Sequence, residues 1–155
     1  ESQSLFWERM IAQNRPFCKR YFPLITKTFP ENFNGVSVDQ FYEAVNTSQP
    51  SFIRVEADEV TYPMHIILRY EIEKGLFDGS IEVNALPDLW NSKMKEYLGV
   101  EPPTDTLGVL QDTHWSGGAF GYFPSYTLGA ISESQFYQSL RNEKPNLDKE
   151  IESGN

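Results

Sequence analysis

Apolar positions recur at helical spacing along most of this chain, and proline, glycine and asparagine interrupt them. In "SQSLFWERMIAQN", Leu5, Trp7, Met10 and Ile11 fall near a period of about 3.6 residues, which predicts a helix over residues 3–13. Arg15-Pro16 breaks that pattern. "PFCKRYFPLITKTF" then starts a second helix with Pro16 at a helix-start position, and Pro23 is expected to bend it or end a turn. Ser37 reads as the N-cap of a third helix, "SVDQFYEAVNT", with Phe41, Ala44 and Val45 on one face.

The longest repeat lies in "RVEADEVTYPMHIILRYEIEKG". There Val60, Met64, Ile67, Leu68 and Ile72 predict a helix over residues 56–74, kinked at Pro63 and closed by Gly75. Asn84 as cap and Gly99 as stop bracket another over residues 85–98. "YFPSYTLGAISESQFYQSLRN" predicts one over residues 122–141. Little chain is left for strands. The expected fold class is mainly α with at most a small β-sheet, and 155 residues predict one domain, 1–155.

Composition narrows the picture. Hydrophobic residues at 39% and aromatics at 14% describe a chain that buries a core. No apolar run approaches the roughly 20 residues that a membrane helix needs. Acidic residues outnumber basic ones by 22 to 13, a net charge of -9 that argues against nucleic acid as the main partner. The opening "ESQSLFWERM" lacks the basic and apolar regions of a secretory signal, and the lone Cys18 fits a reducing compartment, so a cytoplasmic location is expected. Two histidines and one cysteine give no zinc-finger pattern.

Two segments carry candidate chemistry. In "FIRVEADEVTYPMH", Arg54 and Asp58 stand four apart, as do Asp58 and Tyr62, which on a helix puts them on one face. One reading is a solvated Arg54–Asp58 pair, worth about 0–1 kcal/mol. The other makes Arg54 a fork for a substrate carboxylate, its guanidinium held in place by acids. His65, inside the apolar stretch, reads as a partly buried helical histidine with a satisfied ring, in preference to a ligand or catalyst. The second segment, "QDTHWSGGAFGYFPSY", crowds rings and hydrogen-bonding groups around Gly117-Gly118. Tyr122 and Tyr126, four apart, point the same way once a helix begins. A histidine and a tyrosine converging across a glycine turn, His114 and Tyr122, could stabilise an oxyanion. Aromatic core packing, with the glycines there for close backbone approach, accounts for the same residues equally well.

Three motifs in order resemble those of the zinc metallocarboxypeptidases of the carboxypeptidase Taq, or thermostable carboxypeptidase, family. "ESQ", Glu1 to Gln3, is similar to that family's H-E-S-Q without its histidine. "IRVEAD", Ile53 to Asp58, matches I-R-x-x-A-D. "GVLQDTHW", Gly108 to Trp115, matches G-x-x-Q-D-x-H-W. The family's H-E-x-x-H helix, upstream of H-E-S-Q, has no counterpart in this sequence, so the chain resembles a carboxy-terminal portion of such an enzyme. The resemblance implies a helical, zincin-like peptidase fold of the gluzincin type. It implies zinc, with cobalt as a substitute, and peptide substrates with a free carboxy terminus. It implies a homodimer as the intact enzyme.

Residue by residue, the resemblance makes Glu1 the third metal ligand and Arg54 the grip on the terminal carboxylate. His114 and Tyr122 become the groups facing the scissile carbonyl oxygen. Tyr126 is assigned to substrate binding, or takes Tyr122's part instead. Gln111 and Asp112 are expected to hold the loop. The competing readings are a helical peptide-binding module without enzymatic activity and an endopeptidase of the wider gluzincin class.

Overall fold

The computed structural model describes residues 2–155, and all regular secondary structure among them is helical. The chain forms two compact units. One contains residues 1–47 and 128–155, and the other residues 48–127.

The first unit opens with α1 (Ser2–Leu5) and a π-helical stretch, Phe6–Ala12. Leu5 and Ile11 are buried there, whereas Trp7, expected on the same apolar face, is 64% exposed. α2 (Arg15–Thr28) begins where the Asn14 side chain accepts from the Phe17 N–H at 2.8 Å, satisfying one of the donors a helix start leaves open. Pro23 does not end it: the helix runs on to Thr28. The carbonyl that loses its partner, on Lys19, belongs to an exposed residue that water reaches. α3 (Val38–Val45) starts from a reciprocal cap between Ser37 and Gln40, as the sequence predicts. α6 (Pro124–Glu143) begins in the second unit and continues in the first, followed by α7 (Leu147–Ser153). Leu147 and Ile151 of α7 close on Ile11, with Phe17 of α2 alongside.

The second unit is built on α4 (Tyr62–Asp78) and α5 (Leu86–Leu98). Leu68 and Ile72 of α4 pack on Trp90, Met94 and Leu98 of α5, all buried. Burying side chains of this size contributes roughly 1.5–3 kcal/mol each before the cost of ordering them.

α4 starts at Tyr62, not near residue 56, because Asp58 stops the backbone short. Its carboxylate accepts from Val60 N at 2.8 Å, Thr61 N at 3.0 Å and Thr61 Oγ1 at 2.8 Å. Pro63 therefore sits in the first turn, where it has no hydrogen bond to break, rather than at a kink. The helix passes Gly75 and ends at Gly79, whose φ of 77° closes it. The buried face matches the expected one only in part: Leu68 and Ile72 are buried as expected. Tyr62, His65, Ile66, Arg69, Ile72 and Glu73 are buried, while Val60 is 70% exposed and Ile67 37%. Asn84, the expected cap of α5, lies inside a short 3-10 turn, Val83–Ala85, and Pro87 occupies the first turn of α5 instead.

Candidate active site

Ile53 is extended, and Arg54–Glu56 make one 3-10 turn. Arg54 and Asp58 therefore do not share a helix face, and the Arg54–Asp58 pair predicted from their spacing does not form. Asp58 accepts instead from Ser48 Oγ at 2.9 Å and Gln49 N at 3.0 Å, besides its bonds at the start of α4. Burial would raise the Asp58 carboxyl, but the Thr61, Ser48 and Gln49 donors outweigh it and bring it down to about 2.

Gln111 splints the Arg54 segment to the following loop. Its Oε1 accepts from Arg54 N at 2.8 Å. Its Nε2 donates to Phe52 O at 2.9 Å and to Leu107 O and Gly108 O, both at 3.1 Å. One residue on, Asp112 becomes the centre of charge. Its Oδ1 accepts from Arg54 Nε at 3.0 Å and Nη2 at 2.8 Å, a two-pronged grip, and its Oδ2 accepts from Arg69 Nε at 2.6 Å.

Two guanidiniums thus share one carboxylate in a buried place. Arg54 is 6% exposed and Arg69 0%. Burial raises the Asp112 carboxyl, and both arginines outweigh it, leaving it below its ordinary value. Burial is also the main influence on Arg69 and pushes it down to about 10, so it stays charged at neutral pH. Aromatic faces complete the packing. Arg69 lies 4.5 Å from the Trp90 ring centre and 5.5 Å from Phe123. Arg54 lies 4.8 Å from Tyr126 and 5.9 Å from Phe123. Arg54 Nη1 also donates to the Tyr62 hydroxyl at 3.1 Å. A guanidinium has five N–H donors. Three of Arg54's are taken by Asp112 and Tyr62, leaving two.

His114 follows Asp112 by two residues. Its Nε2 is 2.9 Å from the Tyr126 hydroxyl, and its Nδ1 is 3.8 Å from Asp112 Oδ1, too far for a hydrogen bond. A proton on Nδ1 faces the carboxylate, which favours the tautomer whose Nε2 accepts from Tyr126. Tyr122 stacks on His114 with ring centres 5.7 Å apart and meets Tyr126 edge-on at 5.2 Å. Tyr122 is 46% exposed. The loop between these rings turns at Gly118 and Gly121, whose φ angles of 78° and 72° other residues rarely adopt.

The structure therefore gathers four of the five expected site residues, Arg54, His114, Tyr122 and Tyr126, in one cluster of the second unit. Glu1 lies outside the described residues. Among the described residues no three of histidine, cysteine, aspartate and glutamate stand together as a metal site. These side chains alone do not fit a metal centre.

His65 departs from expectation. It is 0% exposed, and neither ring nitrogen has a hydrogen-bond partner among the described residues. Burial first, then the charges of Arg69 and Arg54, hold it near pKa 4, so it is neutral at pH 7. Sequence reasoning also passed over Arg69 and Glu73. Both are charged residues at core spacing on α4, in line with Tyr62 and His65 at intervals of three, four and four, and that misplacement of charge was the available signal.

Known proteins resemble this chain over nearly its whole length. The family model described as carboxypeptidase Taq (M32) metallopeptidase matches residues 1–155. Carboxypeptidase 1 of Bacillus subtilis (strain 168) is 51% identical over 154 residues, covering 99% of this chain and 31% of the relative. Thermostable carboxypeptidase 1 of Thermus thermophilus is 44% identical, again over 99% of this chain and 30% of the relative. The crystal structure of the M32 carboxypeptidase from Deinococcus radiodurans R1 superposes with a TM-score of 0.92 at 39% identity, covering 97% of this chain and 31% of that one. The chain thus spans about a third of the length of its relatives, and over that span it belongs to the carboxypeptidase Taq (M32) metallopeptidase family.

Proposed function

We propose that these residues form the substrate-carboxylate and oxyanion side of a zinc-dependent carboxypeptidase that releases single amino acids from peptides with a free carboxy terminus. The observation that carries this reading is the charge count around Asp112. Two buried guanidiniums touch one carboxylate, so the cluster holds one positive charge that no direct contact among the described residues balances. A buried excess charge of this sign attracts a substrate carboxylate, and Arg54 retains N–H groups to bind it.

In this reading Arg54 grips the terminal carboxylate, and the Tyr126 ring walls the grip. Among the described residues the Tyr122 hydroxyl makes no hydrogen bond, so that O–H is available to the scissile carbonyl oxygen as negative charge develops there. Tyr126 orients His114 from the other side. Asp112 sets the His114 tautomer from a distance and holds both arginines in place. Glu1 serves as a metal ligand, with the remaining ligands supplied by parts of the enzyme beyond these residues. Zinc, or cobalt in its place, would supply polarisation of the carbonyl and a water of lowered pKa. Such an enzyme would act in the cytoplasm as a homodimer.

The test is Tyr122→Phe in the full-length protein, with an N-blocked dipeptide as substrate. If the hydroxyl meets the oxyanion, kcat falls by about 10²–10³-fold, the usual size for one such donor. A change confined to KM points to packing or ground-state binding and contradicts the assignment.

A further inference from the structure

The loop that carries His114 and Tyr122 is fastened at both ends by one carboxylate. Glu73, on α4 and only 8% exposed, accepts from the Trp115 indole N–H through Oε2 at 2.7 Å and from the Gly121 backbone N–H through Oε1. Trp115 is the residue after His114, and Gly121 is the residue before Tyr122. Glu73 therefore holds the neighbours of both rings that stack at 5.7 Å.

The rest of the loop follows from this grip. The Ala119 N–H donates to His114 O at 2.8 Å and the Gly117 N–H to Thr113 O at 2.9 Å, so the backbone between the two ends closes on itself. One helical turn beyond Glu73, Phe77 meets Phe120 of the same loop edge-on at 5.1 Å. One turn before Glu73, Arg69 holds Asp112. The same helix thus secures the loop at Asp112, Trp115, Phe120 and Gly121.

Only a carboxylate suits the position. Two N–H groups of different origin point at it, and each needs an acceptor. An amide offers one oxygen and would turn its own NH₂ against the second donor. A buried donor left without an acceptor is costly enough to move the loop.

We propose that Glu73 is a positioning residue: it sets the separation and tilt of His114 and Tyr122 by clamping the loop between them. This inference rests on the oxyanion reading above. Displacing reacting groups by about 1 Å can cost on the order of 100-fold in rate. In the full-length enzyme, Glu73→Gln should lower kcat for an N-blocked dipeptide by about 10–100-fold while KM moves by less than about threefold. The Gly121 amide should exchange its hydrogen at least about tenfold faster, with the amides of α5 unaffected. Unchanged kcat together with unchanged Gly121 exchange would overturn the inference. A fall in kcat with Gly121 exchange still slow would overturn it too, because the loss would not have travelled through the loop. Should Glu73→Gln fail to fold, Trp115→Phe removes one of the two donors and keeps a ring, and it should lower kcat in the same sense. No loss of kcat in that variant would count against the clamp. Failure of the oxyanion reading looks different: Tyr122→Phe and His114→Ala would leave kcat unchanged while Glu73→Gln still speeds Gly121 exchange. That pattern would overturn the catalytic role of Glu73 and support only its anchoring of the loop.

Discussion

Asp112 Oδ2 accepts from Arg69 Nε at 2.6 Å, and Arg69 is wholly buried. That pair joins α4 to the segment carrying His114, and it gives the site its charge. Because Arg54 binds the other oxygen of the same carboxylate, Asp112 cannot be replaced without stranding two buried cations.

The first prediction follows directly. Asp112→Asn keeps the shape and removes the charge. Breaking a buried ion pair by neutralising one partner costs about 3–5 kcal/mol. Denaturant unfolding of the full-length protein should show a loss in that range. A change under about 1 kcal/mol would mean that the arginines are balanced elsewhere.

A second prediction concerns acid. His65 titrates near 4 in the folded chain against an ordinary 6.5, so between those values the unfolded chain binds the proton and the folded chain does not. Stability should therefore fall as pH drops from about 6.5 towards 4, by on the order of 3 kcal/mol in all, and this contribution should level off below 4. Asp58 adds a second stage with its own sign. Its folded value of about 2 lies below the ordinary 3.8, so its contribution is complete above 3.8 and is lost as pH falls through 2.

His65→Leu separates the two stages. The ring makes no hydrogen bond among the described residues, so an apolar side chain of similar size should leave stability at pH 7 within about 1 kcal/mol or raise it. It should also erase the fall between pH 6.5 and 4 while keeping the one below 3.8. Unfolding curves with the upper stage intact in His65→Leu would assign it to another group.

How far the sequence shows this site depends on what each residue answers to. Ser37 and Gly99 were legible because a helix cap is a local event, set by one side chain or one backbone angle. The motif singles out Arg54, but its partner was not legible. Spacing offers Asp58, four residues away, whereas the fold brings Asp112 from fifty-eight residues on. Nothing local distinguishes them until Asp58 is seen to spend its oxygens on Val60 and Thr61. The face of α4 was legible only in part, at Leu68 and Ile72, for a related reason. Its buried side carries His65, Arg69 and Glu73, and a search for apolar periodicity passes over polar residues that a site has drawn inside.

The most direct test of the account is Arg54→Ala in the full-length enzyme, assayed on one peptide with a free carboxy terminus and on its amide. Losing a charge-assisted grip of about 1.5–3 kcal/mol should lower kcat/KM for the free acid by roughly 10–100-fold. The residual activity on the amide should hardly change, so the preference for the free acid should collapse. An unchanged kcat/KM for the free acid, in a variant that folds, would contradict the role assigned to Arg54 and to the charge it shares with Asp112.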